Sequence, residues 1–307
     1  MRKIVLLIFI SISLITFLSA QTQSKLLKKH KNSITKSSKQ SNNSKLNSAK
    51  DSKTIALSSS SLSKIKAVLV VAPAESTTQN SIKKVEVIAI YLKSIGVNVK
   101  ELYDKNATWT NIVREAKEAN IFLYCGHGSN LGVNKRVGGL CLFNNEFITS
   151  NTIIKELRLH KNALVLFHTV CNAAGSSASD NADIGIKEAT QRVSDYAHPF
   201  VLIGAAGFYA NNWDNTMVPF LKEFFNKKNI KQIYTKNASS FCNIELFEKY
   251  MYEPTYEISI SSFSDTSLYT KTTYINGVAK KEEAHIYKNY GIAYVGKPDF
   301  TVLDFFK

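Results

Sequence analysis

The chain has 307 residues, 44% of them hydrophobic and 21% charged, with a formal net charge of +15. Residues 1–66 hold 13 Lys and Arg against one acid, Asp51, so residues 67–307 carry only +3. The basic character belongs to the N-terminal tail, and charge alone gives the globular part no nucleic-acid-binding reading. Four cysteines (Cys125, Cys141, Cys171 and Cys242) are too few for a disulfide-built scaffold.

Arg2 and Lys3 precede an apolar run, Ile4–Leu18, followed by Ser19, Ala20 and polar Gln21. A basic start, a short apolar stretch and small residues are the order of a secretory signal. The run is shorter than the ~20 residues of a spanning helix. Residues 1–20 are therefore expected to be a signal peptide, the protein to be secreted or extracytoplasmic, and the mature chain to have no membrane span. Residues 21–65 are rich in Ser, Lys and Asn. They read as a disordered linker or propeptide, a basic tail suited to contact with anionic surfaces.

The remainder, 66–307, suits one domain. Ala67–Ala72 (AVLVVA) predicts a buried strand closed by Pro73. Asn80–Leu92 has helical spacing and ends before Gly96; Val97–Tyr103 predicts a second strand and Thr108–Ala119 a second helix. Asn120–Tyr124 is a third strand running into Gly126-His127-Gly128. Gly138–Ile148 predicts a hairpin turning at Asn144-Asn145, with a short helix over Asn151–Leu159. Ala163–Phe167 is a fourth strand running into His168-Thr169-Val170-Cys171. A helix over Ile186–Tyr196, a fifth strand over Pro199–Gly204 and a helix over Trp213–Phe225 follow. Residues 230–285 read as an irregular insert, and Tyr290–Val295 as a final strand. Such alternation predicts an α/β fold with a mostly parallel sheet and helices on both faces.

Ligands of such sheets bind beyond the carboxyl ends of the strands. Both informative loops lie there, after strands three and four. If those strands are neighbours, His127 and Cys171 face one another across roughly 5 Å. A cysteine nucleophile needs a base to form its thiolate, and His127 can serve and later return the proton to a leaving amine. The N–H groups of Gly128 and Cys171 are natural donors to an oxyanion.

An apolar strand ending in His-Gly (FLYCGHG), then a second ending in Cys and small residues (VLFHTVCNAA), resembles the caspase-like cysteine peptidases. These include caspases, gingipains, clostripain, separases and, closest in pattern, CHAT domains. PFVLIGAAGFYANNWDNTMVPFLKEFF looks like the family's fifth strand, tryptophan loop and next helix. YGIAYVGKPDFTVL resembles its closing strand, with Lys297 where the family has Asp. The resemblance implies a caspase-like three-layer αβα sandwich. It also implies a cysteine endopeptidase with His127 and Cys171 as its dyad, Gly128 and Cys171 as its oxyanion hole, a protein or peptide substrate, and no metal or cofactor. The caspase Q-A-C signature is absent, and Thr169 and Val170 stand where clostripain-like sequences have an Asp before the cysteine. Asp180, Asp183 and Asp214 are candidate specificity residues, and Trp213 a candidate pocket wall.

Other readings compete. His168 is a rival base. Cys125, His127, His168 and Cys171 have the ligand types of a zinc site, though with tight spacing, and Cys125 could pair with Cys141. The glycines around His127 miss the dinucleotide-loop spacing, and no G-x-S-x-G is present. The runner-up function is a non-catalytic binding module on the same fold.

The signal reading predicts cleavage between Ala20 and Gln21. N-terminal sequencing of exported protein tests it, and Met1 retained in a membrane fraction would count against it.

Overall fold

The computed structural model describes residues 57–128, 138–177, 180, 183–212, 216–240, 242–265, 272–275, 278–281 and 287–307. The expected signal peptide, most of the expected tail, and both Trp213 and Asp214 lie outside them.

The last residues of the expected tail are built into the fold. Ser58 caps a single helical turn, α1 (Ser59–Leu62), by accepting from the Ser61 N–H. Leu57 and Leu62 pack against the core just ahead of buried Ile65. Serine-rich composition hid this turn, because two leucines suffice to dock it.

Strand β1 (Lys66–Val71) leads through α2 (Thr78–Ser94) to β2 (Asn98–Tyr103), which pairs parallel to β1. Helix α3 (Trp109–Ala116), capped by the Thr108 hydroxyl, returns the chain to β3 (Ile121–Cys125) on the other side of β1. A small hairpin follows, β4 (Gly139–Cys141) with β5 (Phe147–Thr149), turning through Asn144 and Asn145, both at positive φ. Asparagine tolerates that region well, and the expected turn is the one observed. Helix α4 (Ser150–Glu156) precedes β6 (Leu164–His168), which pairs parallel to β3.

Helix α5 (Gly185–Leu202) runs through Pro199, and β7 (Gly207–Asn211) pairs parallel to β6. The expected strand over 199–204 is thus corrected. PFVLI is the last turn of a helix, ended near Gly204 at φ 94°, and the strand is GFYAN. A short apolar run carries no periodicity that separates the two. Proline inside a helix cannot donate to the carbonyl four residues back. Here that is the Asp195 carbonyl, against which Gly138 packs so closely that a Cβ would lie 2.0 Å from its oxygen.

Helices α6 (Met217–Phe225) and α7 (Ile230–Ser239) follow, then β8 (Asn243–Lys249) and β9 (Glu257–Asp265). Strands β10 (Thr272–Ile275) and β11 (Val278–Lys281) pair with each other. Strand β12 (Tyr287–Gly296) pairs antiparallel with both β7 and β9. The segment 230–285 therefore supplies a helix and two strands of the main sheet. Of these strands, β8 lies at the edge with little of its surface buried, and β9 is rich in serine, so neither stands out as an apolar run.

The main sheet has eight strands in the order β2-β1-β3-β6-β7-β12-β9-β8, the first five mutually parallel. Helices cover both faces. Residues of α3, α4 and α5 pack with Phe122, Tyr124, Val165 and Phe167 on one face. Residues of α2, α6 and α7 pack with Ile121, Leu123, Leu164 and Leu166 on the other. The fold is the expected α/β class, with β3 and β6 buried on both faces as central parallel strands require. Among the described residues no helix is long and apolar enough to cross a membrane.

Phe167 is the hub of the first face, with the rings of Tyr124, Tyr196, Phe200 and Phe208 all 5.2–5.7 Å from its own. Phe167→Ala should cost about 3–5 kcal/mol, read as a lower denaturant midpoint. A change below about 1 kcal/mol would contradict this packing.

Candidate active site

The strand order reverses at β1: the chain leaves β1 toward β2 and β3 toward β6. Loops that diverge in this way open a crevice at the carboxyl ends of β1 and β3. Two side chains meet there. Beyond β1, Ala72 continues the ladder by donating to the Cys125 carbonyl, and the chain turns at Pro73 into a 3-10 turn, Glu75–Thr77. Glu75 has φ 44° and reaches His127 Nε2 with its carboxylate at 2.7 Å. The pair is open to water, His127 being 49% and Glu75 79% exposed. Motif reading overlooked Glu75, since a lone Glu after a strand carries no signal until topology brings it beside the histidine.

Two features hold the His127 loop. Gly126 sits where a Cβ would lie 2.7 Å from the Tyr124 hydroxyl and 2.9 Å from the Ala72 methyl. The buried Tyr124 hydroxyl accepts from the Cys141 N–H at 3.1 Å. Its proton has the carbonyls of His127 and Cys141 within reach, at 3.0 and 2.9 Å. One phenol thereby ties the loop to β4, and burial holds its pKa well above the ordinary tyrosine value, so it remains a donor.

The Cys171 loop is a chain of tight turns. Thr169 (φ 55°) and Asn172 (φ 69°) flank Val170 and Cys171 in the left-handed region, and Gly175 follows at φ 118°. Thr169 donates its N–H to the Asn211 carbonyl, and its hydroxyl lies 3.4 Å from Cys125 Sγ, joining the two loops. Val170, Ala173 and Ala174 turn inward onto the α5 face, leaving Cys171 partly exposed.

The His127 and Cys171 loops touch through their backbones. A Cβ on Gly128 would lie 1.9 Å from the Cys171 carbonyl oxygen and 2.8 Å from the Tyr196 hydroxyl. Only glycine permits that approach. Among the described residues, no protein acceptor takes the N–H of Gly128 or of Cys171.

His168 stands apart. It ends β6, is fully buried, and its Nδ1 lies 3.1 Å from Asn211 Oδ1. Strand alternation turns it to the α2/α6/α7 face with Leu164 and Leu166. Asp180 is engaged by Arg192, both its oxygens 2.9 Å from Nη1. Asp183 is exposed and accepts from the Gly185 N–H.

All four cysteines are free thiols, so Cys125 and Cys141 are not joined. Burial raises the Cys141 thiol and pushes Cys242 up to about 12, which keeps both protonated and unreactive near neutrality. Among the described residues, no three of His, Cys, Asp or Glu are grouped to hold a metal ion.

The loops thus present a partly exposed thiol, an imidazole bonded to a carboxylate, and a backbone contact between Gly128 and Cys171. No protein-family model and no curated protein sequence matches this chain.

Gly128→Ala tests the contact between the loops. The added methyl cannot be housed without moving the Cys171 backbone, and the thermal midpoint should fall by about 4–10 °C. An unchanged midpoint would show that the loops do not touch.

Proposed function

We propose that this chain is an exported cysteine endopeptidase of the caspase-like type, acting through Cys171 and His127. The observation that carries the reading is the close approach of Gly128 to the backbone of Cys171. The contact joins the histidine loop to the cysteine loop, which supports reading His127 and Cys171 as one site.

In the proposed reaction, Cys171 Sγ attacks the carbonyl carbon of a peptide bond while its proton passes to His127. The carbonyl oxygen becomes an oxyanion, taking hydrogen bonds from the N–H groups of Gly128 and Cys171. The C–N bond then breaks as His127 gives the proton to the leaving amine, and a thioester remains. Water, losing a proton to His127, hydrolyses the thioester, and the thiol is restored. Glu75 orients the ring and offsets the positive charge it carries between these steps. None of this draws on nucleic acid or a cofactor.

The substrate is a protein or peptide. Asp180 is a poor candidate for recognising a basic side chain, because Arg192 already neutralises it. The specificity reading thus rests on Trp213, Asp214 and exposed Asp183. The basic tail adds a means of holding the enzyme at anionic surfaces.

The partner of His127 favours a second reading. Its Nε2 bonds Glu75 rather than the thiol, an arrangement that also suits a binding module on the same fold.

A peptide-library screen decides between the two. Cys171→Ala and His127→Ala should each abolish cleavage, and the double variant should be no worse than either. His168→Ala should remain active. Glu75→Gln should cost at most about fivefold, because an ion pair so exposed couples weakly. If no peptide is cut, and iodoacetamide modifies Cys171 no faster than Cys141, the endopeptidase reading is wrong and the binding module stands.

A further inference from the structure

We infer that Arg192 is the positioning residue for Cys171, acting through the loop that follows it. The inference rests on the reading of Cys171 as the nucleophile.

Arg192 lies on α5 and is only 8% exposed. Its Nη1 is 2.9 Å from Asn172 Oδ1, 3.2 Å from the Gly175 carbonyl and 2.9 Å from both oxygens of Asp180. Its Nε donates to Glu188 at 2.7 Å, one helical turn back. Two protons on one nitrogen thus face four acceptor atoms of three residues, all of them in the chain just after Cys171.

A buried guanidinium needs compensation, and a single carboxylate would satisfy the charge. Here Asp180 and Glu188 both do so, and the acceptors of Asn172 and Gly175 are drawn in as well. That arrangement is more than Arg192 needs for its own burial. Its effect is on the loop. Asn172, next to the thiol residue, sits in the left-handed region, where an untethered side chain would let the backbone relax. The bond to Arg192 fixes that side chain. Asp180 accepts from the Ser177 N–H at 2.7 Å, so the far end of the loop is tied to the same nitrogen. Direction of the Cys171 N–H and thiol follows from these ties, although Arg192 touches neither.

The Nη1 contacts call for a cation of the right reach rather than a guanidinium plane. Lysine can supply three protons at that place and forfeits only the bond to Glu188. Methionine fills similar space and supplies none. Asn172→Gly keeps the backbone conformation and removes only the tethered oxygen.

The test measures iodoacetamide modification of each cysteine by peptide mass spectrometry, in the full chain and its variants. Arg192→Met should slow Cys171 roughly tenfold or more, as loss of alignment at a reacting group does, with Cys141 and Cys242 unchanged. Arg192→Lys should restore most of the rate, and Asn172→Gly should slow Cys171 alone. The inference is overturned if Cys171 reacts as fast or faster in Arg192→Met while the other thiols stay protected. It is also overturned if all thiols open together and lysine does not rescue, since Arg192 would then serve only the fold. Should wild-type Cys171 react no faster than Cys141, the nucleophile reading fails, and this inference with it.

Discussion

The parallel ladder between β3 and β6 is the constraint on which everything at the crevice depends. Its register sets Tyr124 opposite Phe167, so both strands end at the same height and their loops leave the sheet level with one another. A slip of one residue would exchange the two faces of either strand and push its loop along the sheet by about 3.3 Å. Neither change is open to it. Phe122, Tyr124, Val165 and Phe167 fill one core while Ile121, Leu123, Leu164 and Leu166 fill the other, so one set is largely aromatic and the other aliphatic. Hydrophobic packing far below the crevice thereby fixes where the loops emerge.

Above the ladder the balance of forces changes. Thr169 is β-branched and at positive φ, a costly conformation of order 1–3 kcal/mol, and Asn172, which tolerates that region better, adopts it three residues later. Such strain persists only when the surroundings over-determine it. They do so through the Thr169 N–H on Asn211, the contact with Cys125 Sγ, and the cluster around Arg192. The His127 side is held with less strain, by glycines that allow close approach and by one phenol that serves two stretches of backbone.

What the sequence made legible follows the same division. Strands buried on both faces are short apolar runs, and FLYC and VLFH stand out as such, as do the glycines and the small residues beyond them. The α/β class and the neighbouring loops were readable for that reason. PFVLI was misread because a helix end and a strand look alike over five apolar residues, and the strand that pairs with β6 is GFYAN. Strand β8 was not readable because an edge strand needs little apolar surface, and β9 was not because its buried positions are largely serines. Glu75 and Arg192 were hidden for a third reason. Each acts on a loop that is distant in the chain, His127 for Glu75 and Asn172 for Arg192, and no local pattern marks a pairing that topology creates.

Strand β12 enters the sheet between β7 and β9 although it is the last strand in the chain. Its Tyr290 accepts from the Ser176 N–H and donates to the Ser176 hydroxyl, pinning the cysteine loop in addition to Arg192. The order of synthesis therefore matters to the thiol. A nascent chain can assemble β1, β2, β3, β6 and β7 and expose Cys171 well before residue 290 exists, but the loop lacks that anchor until β12 is inserted. Completion of the sheet and completion of the crevice are one event, so a chain cut short of β12 would carry Cys171 without its fixed setting.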